Sequence, residues 1–451
     1  MSFSTICAVA TGGANGAVSI IRLSGARART IASAVAHQEN WTPRHQYFCT
    51  LFDGETRLDQ ALVTYFQAPH SFTGEDVVEF AVHGSPYIKG RLLEILCEQG
   101  AVPARRGEFS ERAFLNGKMD LVQAQGLCDL IASGNKAAHA IAMTSMDGKL
   151  SSRITEMKTT LSELLAQIEV RLDDVDEEMT PLSPAFIAAQ LNSVLSHIQA
   201  LAATFSVGRL IKDGLKIAIV GAPNSGKSSL LNTLVGFDRA IVSDQSGTTR
   251  DTVEECLEIN GQKIILTDTA GIRDHALDPA EQEGMRRSKR AMAQADVILF
   301  VLDTARPLSS EEKTLWQDIQ LETGKRVLLV YNKSDKPQAA CTLENKEKFP
   351  GVAVSCKTGE GIQTLKDLLT QDITQAQSAD GLMISNLRHY ESLLRAQTEL
   401  EAALLQLNKD AGGEIYAEHI RRALTHLQDL MGEVTPDDVL GIIFSKFCMG
   451  K

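Results

Sequence analysis

Gly221-Ala222-Pro223-Asn224-Ser225-Gly226-Lys227-Ser228 has the spacing G-x-x-x-x-G-K-S, and its flanks give that spacing a purpose. The apolar run Leu215 to Val220 precedes it, and Leu230, Leu231 and Leu234 follow at helical spacing. A strand, a glycine-rich turn and a helix N-terminus in that order make a phosphate cradle. Backbone N–H groups curl around the oxyanion, and the helix dipole adds positive potential. Lys227 would reach the β- and γ-phosphates of a nucleotide and the Ser228 hydroxyl would ligate Mg²⁺, with Asn224, Ser225, Gly226 and Ser229 completing the lining.

Three more motifs follow in an order that narrows the nucleotide. Asp268-Thr269-Ala270-Gly271 closes a strand-like run, so Asp268 would hold magnesium through water and the Gly271 amide would sense the γ-phosphate. Asn332-Lys333-Ser334-Asp335 ends another run. The Asp335 carboxylate suits the N1–H and 2-amino group of guanine, whereas adenine offers it no such donor pair and would leave it unpaired. Ser355-Cys356-Lys357 stands where a third base-side loop is expected, with amides for guanine O6. Together these motifs specify GTP. Gly247-Thr248-Thr249-Arg250-Asp251 lies between them, next to Ser246 of the same nucleotide-binding set, and Thr249 would complete the magnesium shell. Ile272 follows the DTAG motif and cannot orient an attacking water, so another group must do so.

These loops need a mostly parallel sheet to hold them. Short apolar runs at Leu215–Val220, Ile264–Thr267, Val297–Asp303, Arg326–Asn332 and Gly351–Val354 alternate with helical segments, the pattern of a sheet covered on both faces. Asn260-Gly261 between Thr252–Ile259 and Gln262–Thr267 predicts one antiparallel hairpin. Before this region, residues 1–118 mix short strand-like runs (Ala17 to Leu23, Val77 to Val82) with glycine and proline. Helical spacing runs from about Asp120 to Phe205, as in Leu161, Leu164, Leu165, Ile168 and Leu172, and returns after Gln375 with Leu387, Tyr390, Leu393, Leu394 and Leu400. The expected architecture is an α/β plus α chain. It has an N-terminal α+β domain (1–118), a helical domain in two pieces (119–210 and 377–451), and an inserted Ras-like P-loop GTPase domain (211–376).

Composition sets the outer bounds. The chain has 451 residues, 43% hydrophobic and 23% charged, with a formal charge of −12. That balance excludes a disordered chain and a protein that coats nucleic acid through a dense basic surface. Eight cysteines, none spaced as CxxC, are too few for a disulfide framework. The short apolar run near the N-terminus is unlike a signal peptide, and no stretch reads as long enough to cross a membrane, so a soluble cytoplasmic protein is expected.

Over essentially its whole length the sequence resembles the MnmE (TrmE) family of tRNA-modification GTPases. The resemblance rests on TGGANGAVSIIRLSG, SFTGEDVVEF, GEFSERAFLNGKMDLVQAQG, GAPNSGKSSLLN, GTTRD, DTAG, NKSD and the closing FCMGK. Ala14-Asn15 and Met449 depart from the usual family residues. The resemblance implies a GTPase activated by K⁺, with Asn224, Ser243, Gln245 and Thr248 around the ion, and Glu281 (or its neighbour Glu283) orienting water. It implies a homodimerising N-terminal domain that binds tetrahydrofolate through Arg22, Glu79 and Lys118, joined by Lys451, with Cys448 functionally required. It also implies an FAD-containing partner, the MnmG (GidA) protein, a 5,10-methylene tetrahydrofolate donor, and tRNA modified at carbon 5 of the wobble uridine. Arg286, Arg287, Lys289 and Arg290 are a candidate tRNA patch, with a solvated helix face as the plainer alternative. Two other readings stay open: a ribosome-assembly or RNA-binding GTPase, and a folate enzyme whose GTPase is only regulatory.

Overall fold

The computed structural model describes residues 4–12, 16–173, 180, 182–237, 255–267, 289–321, 324–339, 343, 345–377, 382–409, 412–447 and 450. Two compact units divide the chain. The first comprises Met1–Cys128, Ser145–Val194 and Arg395–Lys451; the second comprises Asp129–Thr144 and Leu195–Leu394.

In the first unit a six-stranded sheet runs in the order β3-β4-β5-β2-β1-β6. Its strands are β1 (Ile6–Val9), β2 (Val18–Ser24), β3 (Gln46–Asp53), β4 (Thr56–Phe66), β5 (Val77–His83) and β6 (Val102–Pro103). Alternation decides its two faces. Ile21 and Leu23 on β2, with Val78, Phe80 and Val82 on β5, bury against helices Ala28–Ala36 and Pro86–Glu98 through Ile31, Val35, Leu92 and Leu96. Arg22 and Glu79 face each other in register and so share the opposite face. A one-residue slip would exchange the two faces, and the dense core on one side fixes the register against it. Only β2 and β5 were legible as runs; β3 and β4 carry apolar residues on both faces, with Phe48 and Leu62 exposed, which blurs the alternation. The helices Lys149–Leu172 and Gly413–Met431 pack together in this unit, tied by Lys158–Glu433 and by Arg421–Glu169 at 2.6 Å.

In the second unit the sheet order is β12-β11-β10-β7-β9-β8, with β7 (Leu215–Val220), β8 (Glu255–Ile259), β9 (Gln262–Thr267), β10 (Val297–Asp303), β11 (Arg326–Asn332) and β12 (Gly351–Val354). All pairs are parallel except β8–β9, whose turn puts Asn260 and Gly261 at φ 50 and 76, as an Asn-Gly hairpin requires. Every residue of β10 is buried. Val297, Leu299 and Val301 meet Leu230, Leu234 and Leu365 on one face, while Ile298, Phe300 and Leu302 meet Trp316 and Ile319 on the other. The fold class is therefore the expected one.

The helical segments stand where their spacing placed them, and one expectation, that no stretch is long enough to cross a membrane, needs correction. Leu172, Leu387 and Leu394 keep helical spacing but are 43%, 57% and 37% exposed, because each lies off the stripe that its helix buries. The N-terminal sheet has four strands beyond the two read from sequence. The helical run Pro184–Asp213 is long and apolar enough to cross a membrane by composition, the one such run among the described residues. Ile187, Leu191, Val194, Ile198 and Leu201 are buried along it in three- and four-residue steps, the stripe of a helix packed on protein.

Candidate functional site

The glycine-rich turn begins where β7 ends, at the carboxyl edge of a parallel sheet, which is where such sheets bind ligands. A Cβ on Gly221 would stand 2.4 Å from the Val301 carbonyl of β10, so only glycine allows that approach. Asn224 (φ 62) and Gly226 (φ 99) turn the chain in the left-handed region. A Cβ on Gly226 would meet Asn332 Nδ2 at 2.0 Å. That amide donates to the Ser225 carbonyl at 2.9 Å, and Asn332 itself is buried.

The NKSD motif thus straps the end of β11 to the phosphate turn. Lys333 (φ 66) extends the strap by donating to the Asn224 carbonyl at 3.0 Å and pairing with Asp303 at 2.6 Å. No motif marks Asp303 in the sequence; an acid ending a wholly apolar strand was the available signal. Burial alone would raise its pKa, but the Lys333 hydrogen bond and charge outweigh it and hold the carboxyl below the usual range.

Lys227 folds over the turn and donates to the carbonyls of Gly221 and Ala222, each at 2.9 Å. Burial pushes its amine below the ordinary value, against the opposing charges of Glu311 and Glu312. Ser225 Oγ is buried and has no hydrogen-bond partner among the described residues. Asp335 is exposed and accepts from Ser355 Oγ at 2.8 Å; that bond, helped by Lys357 and Lys336, keeps the carboxyl ionised below its usual range. The Ser355–Glu360 loop is closed by Gly359 N–H donating to the Ser355 carbonyl at 2.8 Å and Ser355 N–H to the Glu360 carbonyl at 3.0 Å. Cys356 Sγ lies 3.4 Å from Asn332 Oδ1, and burial pushes its thiol up.

The described half of the site therefore brings Asn224, Ser225, Gly226, Lys227, Asn332, Lys333, Asp335, Ser355 and Cys356 to one sheet edge. Ser243, Gln245, Ser246, Gly247, Thr248, Thr249, Asp268, Thr269, Ala270, Gly271, Glu281 and Glu283 lie outside the described residues, as do Arg286 and Arg287 of the basic run. Lys289 of that run pairs with Asp318 at 3.1 Å, and Arg290 is exposed.

A second cluster lies on the first unit's sheet. Arg22 pairs with Glu79 at 2.8 Å across β2 and β5, both side chains largely enclosed. Its guanidinium sits 5.2 Å from the Phe72 ring and 5.6 Å from the Phe109 ring, so its charge is held by aromatic faces as well as by the carboxylate. The far end of the chain reaches this point: the Gly450 carbonyl is 3.5 Å from Arg22 Nη1, and a Cβ on Gly450 would stand 2.1 Å from the Val9 carbonyl. The two residues flanking the described Gly450 in the FCMGK motif, Met449 and Lys451, and Cys448 lie outside the described residues. Lys118 Nζ donates to the Pro69 carbonyl at 3.0 Å, on the Gln67–Asp76 loop that also carries Phe72. Beneath that loop Arg112, 2% exposed, bridges Glu75 at 3.1 Å and Glu108 at 2.9 Å and keeps it in place.

The donor set fits a folate. Glu79 can accept from the amino and ring N–H groups of a pterin, and cations can meet a glutamyl carboxylate.

Comparison with known proteins gives the family. The family model described as the MnmE helical domain matches residues 121–448, and the one described as the GTP-binding protein TrmE N-terminus matches residues 5–118. A protein of Akkermansia muciniphila named tRNA modification GTPase MnmE is 39% identical over 454 residues, covering 99% of each chain. Proteins of the same name from Psychrobacter sp. and Alkalilimnicola ehrlichii are each 40% identical, over 462 residues (99% of each chain) and 453 residues (100% of each chain). On that evidence the chain belongs to the MnmE (TrmE) family of tRNA-modification GTPases.

Proposed function

We propose that this GTPase of tRNA modification hydrolyses GTP to drive a change of conformation, while an aminomethyl or carboxymethylaminomethyl group is installed at carbon 5 of the wobble uridine. The observation that carries the GTP reading is the strap from Asn332 and Lys333 to the phosphate turn, with Asp335 beside it. The strap joins base recognition to phosphate recognition through two hydrogen bonds. Lys227 exchanges its two backbone carbonyls for phosphate oxygens, and the Asp335 carboxylate selects guanine.

Ser228 and Thr249 would hold Mg²⁺, which offsets charge on the phosphates when bound. Asn224, Ser243, Gln245 and Thr248 would hold K⁺, and Glu281 would orient the attacking water. These roles rest on family membership and on motif position. In the same way Arg22, Glu79, Lys118 and Lys451 would hold a 5,10-methylene tetrahydrofolate, the one-carbon donor, near Cys448. The donor set around Arg22 and the return of Gly450 to it support that reading. The partners in this reading are a second copy of the chain, the FAD-dependent MnmG (GidA) protein, and tRNA, all in the cytoplasm.

Hydrolysis by the full-length protein, measured in KCl and in NaCl at equal ionic strength, tests the switch. Faster turnover in KCl is expected, with the gain lost in Asn224→Ala. Equal rates in the two salts would remove potassium from the account.

A further inference from the structure

Arg44 was not singled out by any motif, yet its geometry is unusual. It is a non-glycine residue at φ 61, where a side chain strains the backbone, and its N–H is anchored to the Tyr65 carbonyl at 2.7 Å. Glycine or asparagine would occupy that conformation at lower cost. The position instead carries an exposed guanidinium whose Nη2 donates to the His70 carbonyl at 3.1 Å. Lys118 Nζ donates to the neighbouring carbonyl, Pro69, and its stem lies against Gly74 of the same loop. Two exposed cations are thus fastened to adjacent carbonyls, and among the described residues neither has a carboxylate partner.

The acids nearby are already engaged. Asp76 Oδ1 accepts from the Tyr65 hydroxyl and from the Ala68 N–H, both at 2.9 Å. Glu75 accepts from Arg112 and from Ser24. The loop therefore has one end, at Phe72, under the Arg22–Glu79 pair, and another, at Pro69 and His70, flanked by uncompensated positive charge. Three residues of chain separate the ends, at most ~10 Å, a span that a pterin with its benzoyl spacer can bridge.

We propose that Arg44 and Lys118 form a two-cation clamp for the carboxylates of a glutamyl tail, making Arg44 a specificity-determining residue of the N-terminal site. The proposal rests on the folate reading above and adds the residue that distinguishes long-tailed from short-tailed folates. Each added γ-glutamyl unit brings another carboxylate within reach of the clamp, so affinity should rise with tail length and fall with salt.

The test is calorimetric titration of the full-length protein with 5-formyltetrahydrofolate bearing one, three or five glutamates, and with the tetrahydropteroate analogue that has none. In wild type the tailed compounds bind tighter than the tailless one. Arg44→Gln is expected to shrink that preference on the order of tenfold, the scale of one charge-assisted contact. Arg44→Gly should shrink it as much while the melting temperature holds or rises, since glycine relieves the backbone strain, which separates lost binding from lost folding. Wild type that ignores the tail, or variants that keep the wild-type preference, would overturn the clamp and leave the folate reading intact. Failure of wild type to bind any of the compounds would sink the folate reading itself.

Discussion

Lys227 shows how much a single residue's surroundings add to a motif. The G-x-x-x-x-G-K-S spacing identified it from sequence, but not the burial that depresses its amine below the ordinary 10.5. Phosphate oxygens favour the protonated amine. Nucleotide affinity is therefore full below the depressed pKa and falls as pH rises through it, earlier than for an ordinary lysine. Titrations up to about pH 10 in buffers of different ionisation enthalpy should record proton uptake on GTP binding; proton release would contradict the assignment. Asp335 lends itself to a second test. Asparagine there presents a donor to the 2-amino group, so Asp335→Asn should lose GTP affinity by about 100-fold or more and gain xanthosine triphosphate, whose C2 carbonyl accepts. Retained GTP affinity would remove Asp335 from the base site. Asp303 escaped the sequence reading because its role exists only once β10 and β11 are neighbours and Lys333 reaches across. Arg44 escaped for a similar reason, since its strain and its loop carbonyl are tertiary facts.

At the scale of elements, the parallel strands were legible nearly residue for residue, as Val297–Asp303 and Arg326–Asn332 show. Strands buried on both faces write themselves as unbroken apolar runs. The N-terminal sheet was legible only at β2 and β5, because β3 sits at an edge and exposes Phe48 while β4 exposes Leu62. Glycines at joints between elements supply a graded prediction. At Gly361 (φ 74) a Cβ would lie 1.9 Å from the Ala353 carbonyl, backbone that cannot yield without disturbing β12. Gly361→Ala should cost about 2–4 kcal/mol, from strain and overpacking together. Gly117 (φ 66) has open space around its Cβ position, so Gly117→Ala should cost only the left-handed penalty, about 1 kcal/mol. Denaturant midpoints compare the two directly, and equal losses would show that the contact at Gly361 relaxes freely.

For the whole molecule, the return of the C-terminal segment to the N-terminal sheet was expected through the family resemblance, which joins Lys451 to Arg22, and not from composition or spacing. Gly107 (φ 70) would place a Cβ 2.2 Å from the Phe444 carbonyl, so the helix Asp437–Ser445 packs directly on the segment that starts helix Glu108–Leu115. Gly450 then reaches β1 and Arg22. Hydrophobic periodicity and spacing do not link residues separated by more than 400 positions; packing does. Gly107→Ala should release this end of the chain, seen as faster amide exchange over 437–447 and weaker folate binding. GTP hydrolysis, whose described residues lie in the other unit, should persist. Loss of both activities together would contradict that division of labour.

If GTP hydrolysis by this chain serves tRNA modification, the nucleosides of bulk tRNA, read by mass spectrometry, must change when it is lost. Cells lacking the protein would be compared with cells rescued by wild type, Lys227→Ala or Cys448→Ser. Loss of the carbon-5 aminomethyl uridines is expected in the deletion, and their return with wild type alone. A nucleoside profile unchanged by the deletion would contradict that role and restore the reading of an RNA-binding GTPase.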